Sequence, residues 1–368
     1  MTTTLSKTIS ILRTVLCFQI VLLHTATTGL TSQEISASYN GPLVIYKYVS
    51  VFFTLITKTS VPLFFIISGY LFFIKYNNTV ANYENNIKSR SRHLLQPIMI
   101  WTTIYLLFYY IAQQVPYTAS LFSGNNLPIA DYGWKDFIGA YSGIFNNGIM
   151  FAGQFWFLRN LFIICLFTPL LWYLFKYTKK YSLYVIGITW FFHEQLMINT
   201  FTIDTIFFFT LGAWIAFNNY NIDKFLNLKA KWFYPIFFIA LIATIILPQN
   251  TYHHFFYLSC IFFGTICISH ICYTLIKKGK GDFLVRLSAG SYFCFLLHQQ
   301  IQMFVKRALH KLLKPDSDLT MLLLYFLVPC LIIAICYILY NYLDKYHPTL
   351  LAILTGTKKS ISKTISHG

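Results

Sequence analysis

Ten long apolar runs divide the chain, at residues 6–27, 46–74, 94–112, 154–175, 181–198, 201–217, 232–248, 255–276, 283–303 and 319–343. A helix needs roughly 20 apolar residues to cross the hydrocarbon core of a bilayer. The runs therefore predict an all-α, polytopic membrane protein of about ten transmembrane helices. Composition agrees: 11% of the residues are charged and 57% hydrophobic, where a soluble domain carries about 25% charged residues. That excludes a disordered chain, a disulfide-rich scaffold and an ordinary soluble enzyme. The fifth and sixth runs are separated only near His193–Asn199. The longest loop, 113–153, holds Pro116, Gly124, Pro128 and Gly133 and is too polar to span. Arg13 lies inside the first run, which lacks a small-residue cleavage site, so the run reads as a span rather than a cleaved signal. One domain over 1–368, with no soluble domain at either end, is expected.

The net charge of +17 comes from 28 Lys and Arg against 11 acids. In a membrane protein such an excess gathers in cytoplasmic loops, so no nucleic-acid partner is implied. With the N-terminus in the cytoplasm, inner segments hold 19 of the cations, among them Lys7, Lys88, Arg90, Arg92, Lys180, Lys229, Lys278, Lys345, Lys358, Lys359 and Lys363. Outer segments hold six: Lys47, Lys135 and the group Lys306, Arg307, Lys311 and Lys314. An even number of spans puts both termini in the cytoplasm. The Lys306–Lys314 group is the exception to the bias; it either attracts an anionic glycan or lipid-linked pyrophosphate, or forms a solvated loop. Eight cysteines, Cys17, Cys165, Cys260, Cys267, Cys272, Cys294, Cys330 and Cys336, all lie in apolar runs without a CxxC or Cys/His cluster. They read as buried free thiols, and no metal is indicated.

Ionisable groups inside spans cost roughly 2.5–3.5 kcal/mol each on insertion scales, so each needs a reason. Arg13, His24, Lys58 and Arg159 stand out, and His298 joins them near the outer end of the ninth run. Arg13 and His24 are about three turns and some 16 Å apart on one helix face. They form either two stations on a polar path, or a snorkelling cation and a hydrogen-bonded core imidazole. The second run reads VPLFFIISGYLFF from Val61 to Phe73. In it Pro62 can kink the helix, Ser68 shares a face with Phe64, and Gly69 admits a close neighbour, helix or ligand. Lys58 needs a partner or a water-filled cavity. The segment Lys88 to Pro97 is a basic cluster whose guanidinium groups suit a phosphorylated cofactor, or one that merely sets topology. Trp156 and Arg159 share a face, as do Ser291 and His298. No GxSxG, Walker A, HExxH or CxxC occurs. Few acids lie in the spans, with Glu194 and Asp204 at span ends, which argues against a carboxylate-driven proton pump.

In their order along the chain these features resemble the acyltransferase family 3 membrane proteins. The resemblance rests on Arg13-x10-His24, the Val-Pro-Leu-Phe-Phe-x-x-Ser-Gly-Tyr-Leu run ending at Leu71, and the basic segment ending at Pro97 and Trp101. It continues through Trp156-Phe-Leu-Arg159, the Ser-x-x-Ser-Tyr pattern ending in His298, and the tail at Gly356. It implies a ten-helix core that takes an acyl group, usually acetyl, from cytoplasmic acetyl-CoA to a sugar hydroxyl of a surface polysaccharide. It implies His24 as catalytic histidine with Arg13 as its motif partner, and Arg90 and Arg92 as contacts to the CoA phosphates. Ser68 and Lys58 fall on the cofactor side, and Trp156, Arg159 and His298 on the substrate side. Where many members carry Arg-x-x-Arg, this chain has Arg90-x-x-His93. Acyl transfer needs a base of near-neutral pKa and positive charge at the developing oxyanion, and Lys58 or Arg159 suits the second need better than the distant Arg13. The expected partners are acyl-CoA, a polysaccharide or lipid-linked glycan, and membrane lipids, in a bacterial inner membrane. The alternatives are a transporter or flippase for a lipid-linked glycan, and an inert partner of a polysaccharide synthase.

Overall fold

The first helix begins where the Thr2 hydroxyl accepts the Leu5 amide at 3.1 Å, a side-chain cap on otherwise unpaired donors. From there the computed structural model describes residues 1–25, 43–116, 127–192, 197–198, 201–247 and 252–357. Glu194, His193, Asn199, Gly124, Lys358, Lys359 and Lys363 lie outside the described residues. The chain forms two compact units.

The larger unit comprises Met1–Tyr76, Trp172–Glu194 and Asp204–Leu339. Its helices are α1 (Thr3–Thr25), α2 (Val44–Thr57) and α3 (Ser60–Phe73), followed by most of α8 (Thr168–Thr178) and α9 (Tyr181–Phe192). Then come α10 (Ile203–Phe217), α11 (Ile222–Leu228), α12 (Tyr234–Ile246), α13 (His253–Lys277), α14 (Asp282–Leu313) and most of α15 (Asp318–Tyr346). The smaller unit, Asn77–Leu171, Gln195–Ile203 and Tyr340–Gly368, contains α4 (Val80–Arg90), α5 (Gln96–Gln114), α6 (Trp134–Ser142), α7 (Trp156–Leu166) and α16 (Pro348–Thr355). Among the described residues the sole sheet is a two-residue antiparallel pair, Met197–Ile198 with Phe201–Thr202.

Each of the ten expected runs contains helix among the described residues, the fifth only as far as Phe192. Among the described residues five helical stretches, 3–25, 44–73, 80–114, 253–277 and 318–346, are long and apolar enough to cross a membrane, or seven if two bent pairs each count as one span. The chain is thus a multi-pass helical membrane protein. α9 and α10, the fifth and sixth expected spans, have 12 and 15 residues, or about 18 and 22 Å at 1.5 Å per residue, below the roughly 30 Å of hydrocarbon. α14 outruns its expected span: the helix continues past 303 to Leu313, so Lys306, Arg307 and Lys311 are helical and Lys314 lies just past its end. Of the eight cysteines, all free, seven are buried and Cys330 is exposed on α15.

α1 is the hub of the larger unit, packed against α2, α3, α13 and α14. Leu5, Ile9, Leu12 and Leu16 recur at helical spacing and bury against Leu63, Ile67, Ile268 and Cys272. In lipid such apolar contact gains little over the tails it replaces, so close fit decides the arrangement. One such close fit is between α3 and α10. A Cβ at Gly69 would strike the Phe209 carbonyl oxygen, and a Cβ at Gly212 the Ile66 carbonyl oxygen. The two glycines thus let two backbones cross at contact distance. This resolves the two readings of Gly69: the close neighbour is a helix.

Pro62 sits in the first turn of α3, where its missing N–H costs least. The break lies just before it, at Lys58–Thr59, and hydroxyls tie its exposed carbonyls: Thr57 to Thr54 at 2.9 Å, Thr59 to Ile56 at 2.6 Å, and Ser60 to Thr57. Replacing Gly69 with Ala forces the α3–α10 crossing apart and should destabilise the protein by about 1–3 kcal/mol. A lower thermal midpoint in detergent is the expected readout, with Gly69→Leu losing the monodisperse species altogether.

Candidate active site

α1 and α14 are joined along their length by polar rungs. The Thr14 hydroxyl donates to the Leu284 carbonyl at 2.9 Å, and the Cys17 thiol to the Ser291 carbonyl at 3.1 Å. Near the C-terminal end of α1 the Gln302 amide donates to the Val21 carbonyl at 3.0 Å and to the Thr25 hydroxyl at 2.7 Å. One turn further on, Lys306, 3% exposed, donates its ammonium to the Thr25 carbonyl. The last carbonyls of a helix lack intrahelical donors and carry its negative pole, so a cation there is favourable.

These rungs bring together two of the expected site residues. The rings of His24 and His298 lie 5.5 Å apart between centroids, with planes at 40°. His298, Gln302 and Lys306 follow one another at four-residue steps on α14, all buried, so one stripe of that helix is polar through an apolar run. The His298 Nδ1 lies 2.7 Å from the Phe295 carbonyl oxygen. That oxygen can only accept, so Nδ1 is assigned the proton and Nε2 the free lone pair. Nε2 is buried with no hydrogen-bond partner among the described residues. An imidazole held this way is arranged to accept a proton from a bound hydroxyl. The sequence grouped Lys306 with a surface cluster; its burial corrects that. Gln302 was not singled out, although the spacing of 298, 302 and 306 was there to find it.

The other expected residues of this unit lie elsewhere. Arg13 is exposed, eleven residues back along α1 from His24. Ser68 is half-buried on α3 beside Gly69. Lys58 does find a cavity: it lines one of about 590 Å³, its ammonium 5.0 Å from the centre of the Tyr257 ring. Asp204, at the start of α10, accepts the Trp190 indole N–H at 2.7 Å.

In the smaller unit α4 runs through a π-helical turn, Ser91–Leu95, into α5, and the basic segment lies on that turn. Such turns concentrate at functional sites. The tail clasps it. Trp101 donates its indole N–H to the Leu354 carbonyl at 3.0 Å, Gln96 its amide to Ile353 at 2.8 Å, and Arg92 its guanidinium to Thr357 at 3.3 Å. Gly356 ends α16 at φ +64°, and a Cβ there would strike the Arg92 carbonyl oxygen, so only glycine fits. Two segments far apart in sequence are therefore one structural feature. Arg90, half-buried, ends α4 immediately before that turn.

Arg159 is a staple. One nitrogen donates to the Ser142 and Gly148 carbonyls at 2.8 and 3.1 Å, while Nε and the other terminal nitrogen meet the Asn160 side-chain oxygen at 3.1 and 3.0 Å. It thereby fixes the turn after α6, where Gly143 holds φ +76°. Trp156 opens α7 three residues earlier, its ring edge-on to Phe157 at 6.4 Å.

The fold is that of a multi-pass helical membrane protein in which the half-buried His24 faces the buried His298. Residues 7–341 match the acyltransferase domain model of acyltransferase family 3, which crosses both units, and the chain belongs to that family. It is a membrane acyltransferase by that membership. No curated protein and no solved structure matches the chain.

Removing the Gln302 amide takes a buried donor from both the Thr25 hydroxyl and the Val21 carbonyl, leaving them the bond they make to each other at 3.1 Å. Gln302→Leu should cost about 1–3 kcal/mol and loosen the end of α1. The check is faster amide exchange at residues 20–25 alongside a lower thermal midpoint.

Proposed function

We propose that this protein is an integral membrane O-acyltransferase, acting as one domain, that moves an acyl group, acetyl in the first instance, from cytoplasmic acyl-CoA to a sugar hydroxyl of a cell-surface or exported polysaccharide. The observation that carries this reading is the His24–His298 pair, with a bare Nε2 in the core of the bundle. In the proposed step an imidazole Nε2 takes the proton of the sugar hydroxyl as its oxygen attacks the thioester carbonyl. The tetrahedral intermediate expels the CoA thiolate, which takes the proton back as thiol. No redox group or metal enters this balance.

The remaining residues are assigned by the family pattern. Arg90 and Arg92 meet the phosphates of CoA, and the tail contact of Arg92 holds its segment in place. Arg13 serves the donor side, and Ser68 lies beside the donor path. Trp156 offers the sugar a stacking face, on a loop that Arg159 fixes. Both termini face the cytoplasm, and the membrane is a bacterial inner membrane. Lys58 binds a phosphate-bearing group.

Inverted membrane vesicles given radiolabelled acetyl-CoA test the reading. Label should enter carbohydrate with wild type and not with His24→Ala, while both insert equally. His298→Ala should lose about 10²–10⁴-fold in rate. Label from neither wild type nor variant would sink acetyl-CoA as the donor, and equal label from both would make His24 structural.

A further inference from the structure

We infer that the cavity along the Lys47–Lys58 face of α2 is a binding site for a phosphate-bearing group, and that its occupant is the phosphate or diphosphate through which the acceptor glycan is carried. The cavity, about 590 Å³, lies among α2, the end of α12 and the start of α13, within the size range of ligand pockets. Lys47, Val51, Thr54 and Lys58 recur at three- and four-residue steps, so one face of α2 supplies two cations to it. His253 and Tyr257 line the facing wall.

Four observations point to an anion. Among the described residues no Asp or Glu lines the cavity. Asp204 is engaged by Trp190, and the one ion pair among the described residues is Lys7–Asp282, elsewhere. The Lys58 ammonium instead rests 5.0 Å over the Tyr257 ring, a weaker partner than a carboxylate. The hydroxyl oxygen of Thr54, a residue of the cavity lining, is buried with no hydrogen-bond partner among the described residues. The His253 Nδ1 is 3.2 Å from the Leu247 carbonyl, which leaves its Nε2 for a ligand.

Two flexible ammonium groups set eleven residues apart bracket an extended, multiply charged group rather than a single carboxylate. Lysine acts toward phosphate as a point charge, without the planar fork that arginine presents to a carboxylate. The cavity also explains an oddity of the sequence, since Lys47 is a cation on the side that the charge bias leaves poor in them. Naming the acceptor as occupant rests on the acyltransferase reading; the phosphate site itself does not.

Full-length protein in phosphatidylcholine nanodiscs, titrated with inorganic diphosphate, tests the site by calorimetry and thermal unfolding. Wild type should bind, with a raised unfolding midpoint that shrinks as salt is added. Lys58→Met and, independently, Lys47→Met should each weaken binding at least tenfold, while Lys135→Met binds as wild type. Two variants guard against one that fails to fold, and unliganded midpoints equal to wild type show that each is intact. His24→Ala should bind diphosphate normally, which separates this site from the transfer chemistry. Stabilisation that depends on the two lysines but appears only in phosphatidylglycerol discs would assign the phosphate to a lipid headgroup and overturn the acceptor as occupant. No response to either probe, or equal binding by Lys58→Met, overturns the site.

Discussion

A hydrogen-bonding group inside an apolar slab must find its partner within the protein, and the clasp of α1 by α14 is where this chain meets that demand most fully. Thr14, Cys17, Gln302 and Lys306 each bond across the two helices. Packing of Leu or Ile on this seam would hold the helices together with little preference for register, because lipid competes equally well for apolar surface. Directional bonds to named carbonyls set the register, and the register sets which side chains meet. His24 lies one residue from Thr25, which both Gln302 and Lys306 hold, so its approach to His298 follows from the clasp rather than from any direct bond between the rings.

The same economy runs through the smaller unit, where guanidinium groups and indoles serve the backbone. Arg159 binds two carbonyls and a neighbouring amide oxygen; Trp101 and Arg92 bind the tail. Residues that a motif comparison would label functional are thus also structural. A substitution at Arg92 or Arg159 would change the shape of its loop, whatever ligand it also touches. Activity loss there says less about direct contact than loss at His24, whose side chain makes no comparable set of bonds among the described residues.

Much of the architecture was legible because lipid imposes a simple rule on composition. Long apolar runs favour helix, and each expected run contains one among the described residues. The family was legible too, since its motifs are short and ordered along the chain. Less legible was where helices end. α14 runs ten residues beyond its expected limit, where Lys306 is polar yet buries against the end of α1, and hydropathy reads polar residues as exposed. The shortness of α9 and α10 was likewise hidden in apolar runs that read as full spans.

The sequence by itself determined the class of fold, the membrane setting, the family and the identity of the unusual polar residues, because each depends on local composition or on short spacings. Only the tertiary structure decided which of them meet. His24 and His298 are 274 positions apart, and Trp101 and Leu354 are 253 apart. Nothing in a helical period links such positions. Gly69 could have admitted a ligand or a helix, and the reciprocal gap at Gly212 shows the helix. Arg13 and His24 share a helix face, yet the imidazole partner of His24 came from α14, since contact across helices is set by backbone approach and by polar groups that must find partners.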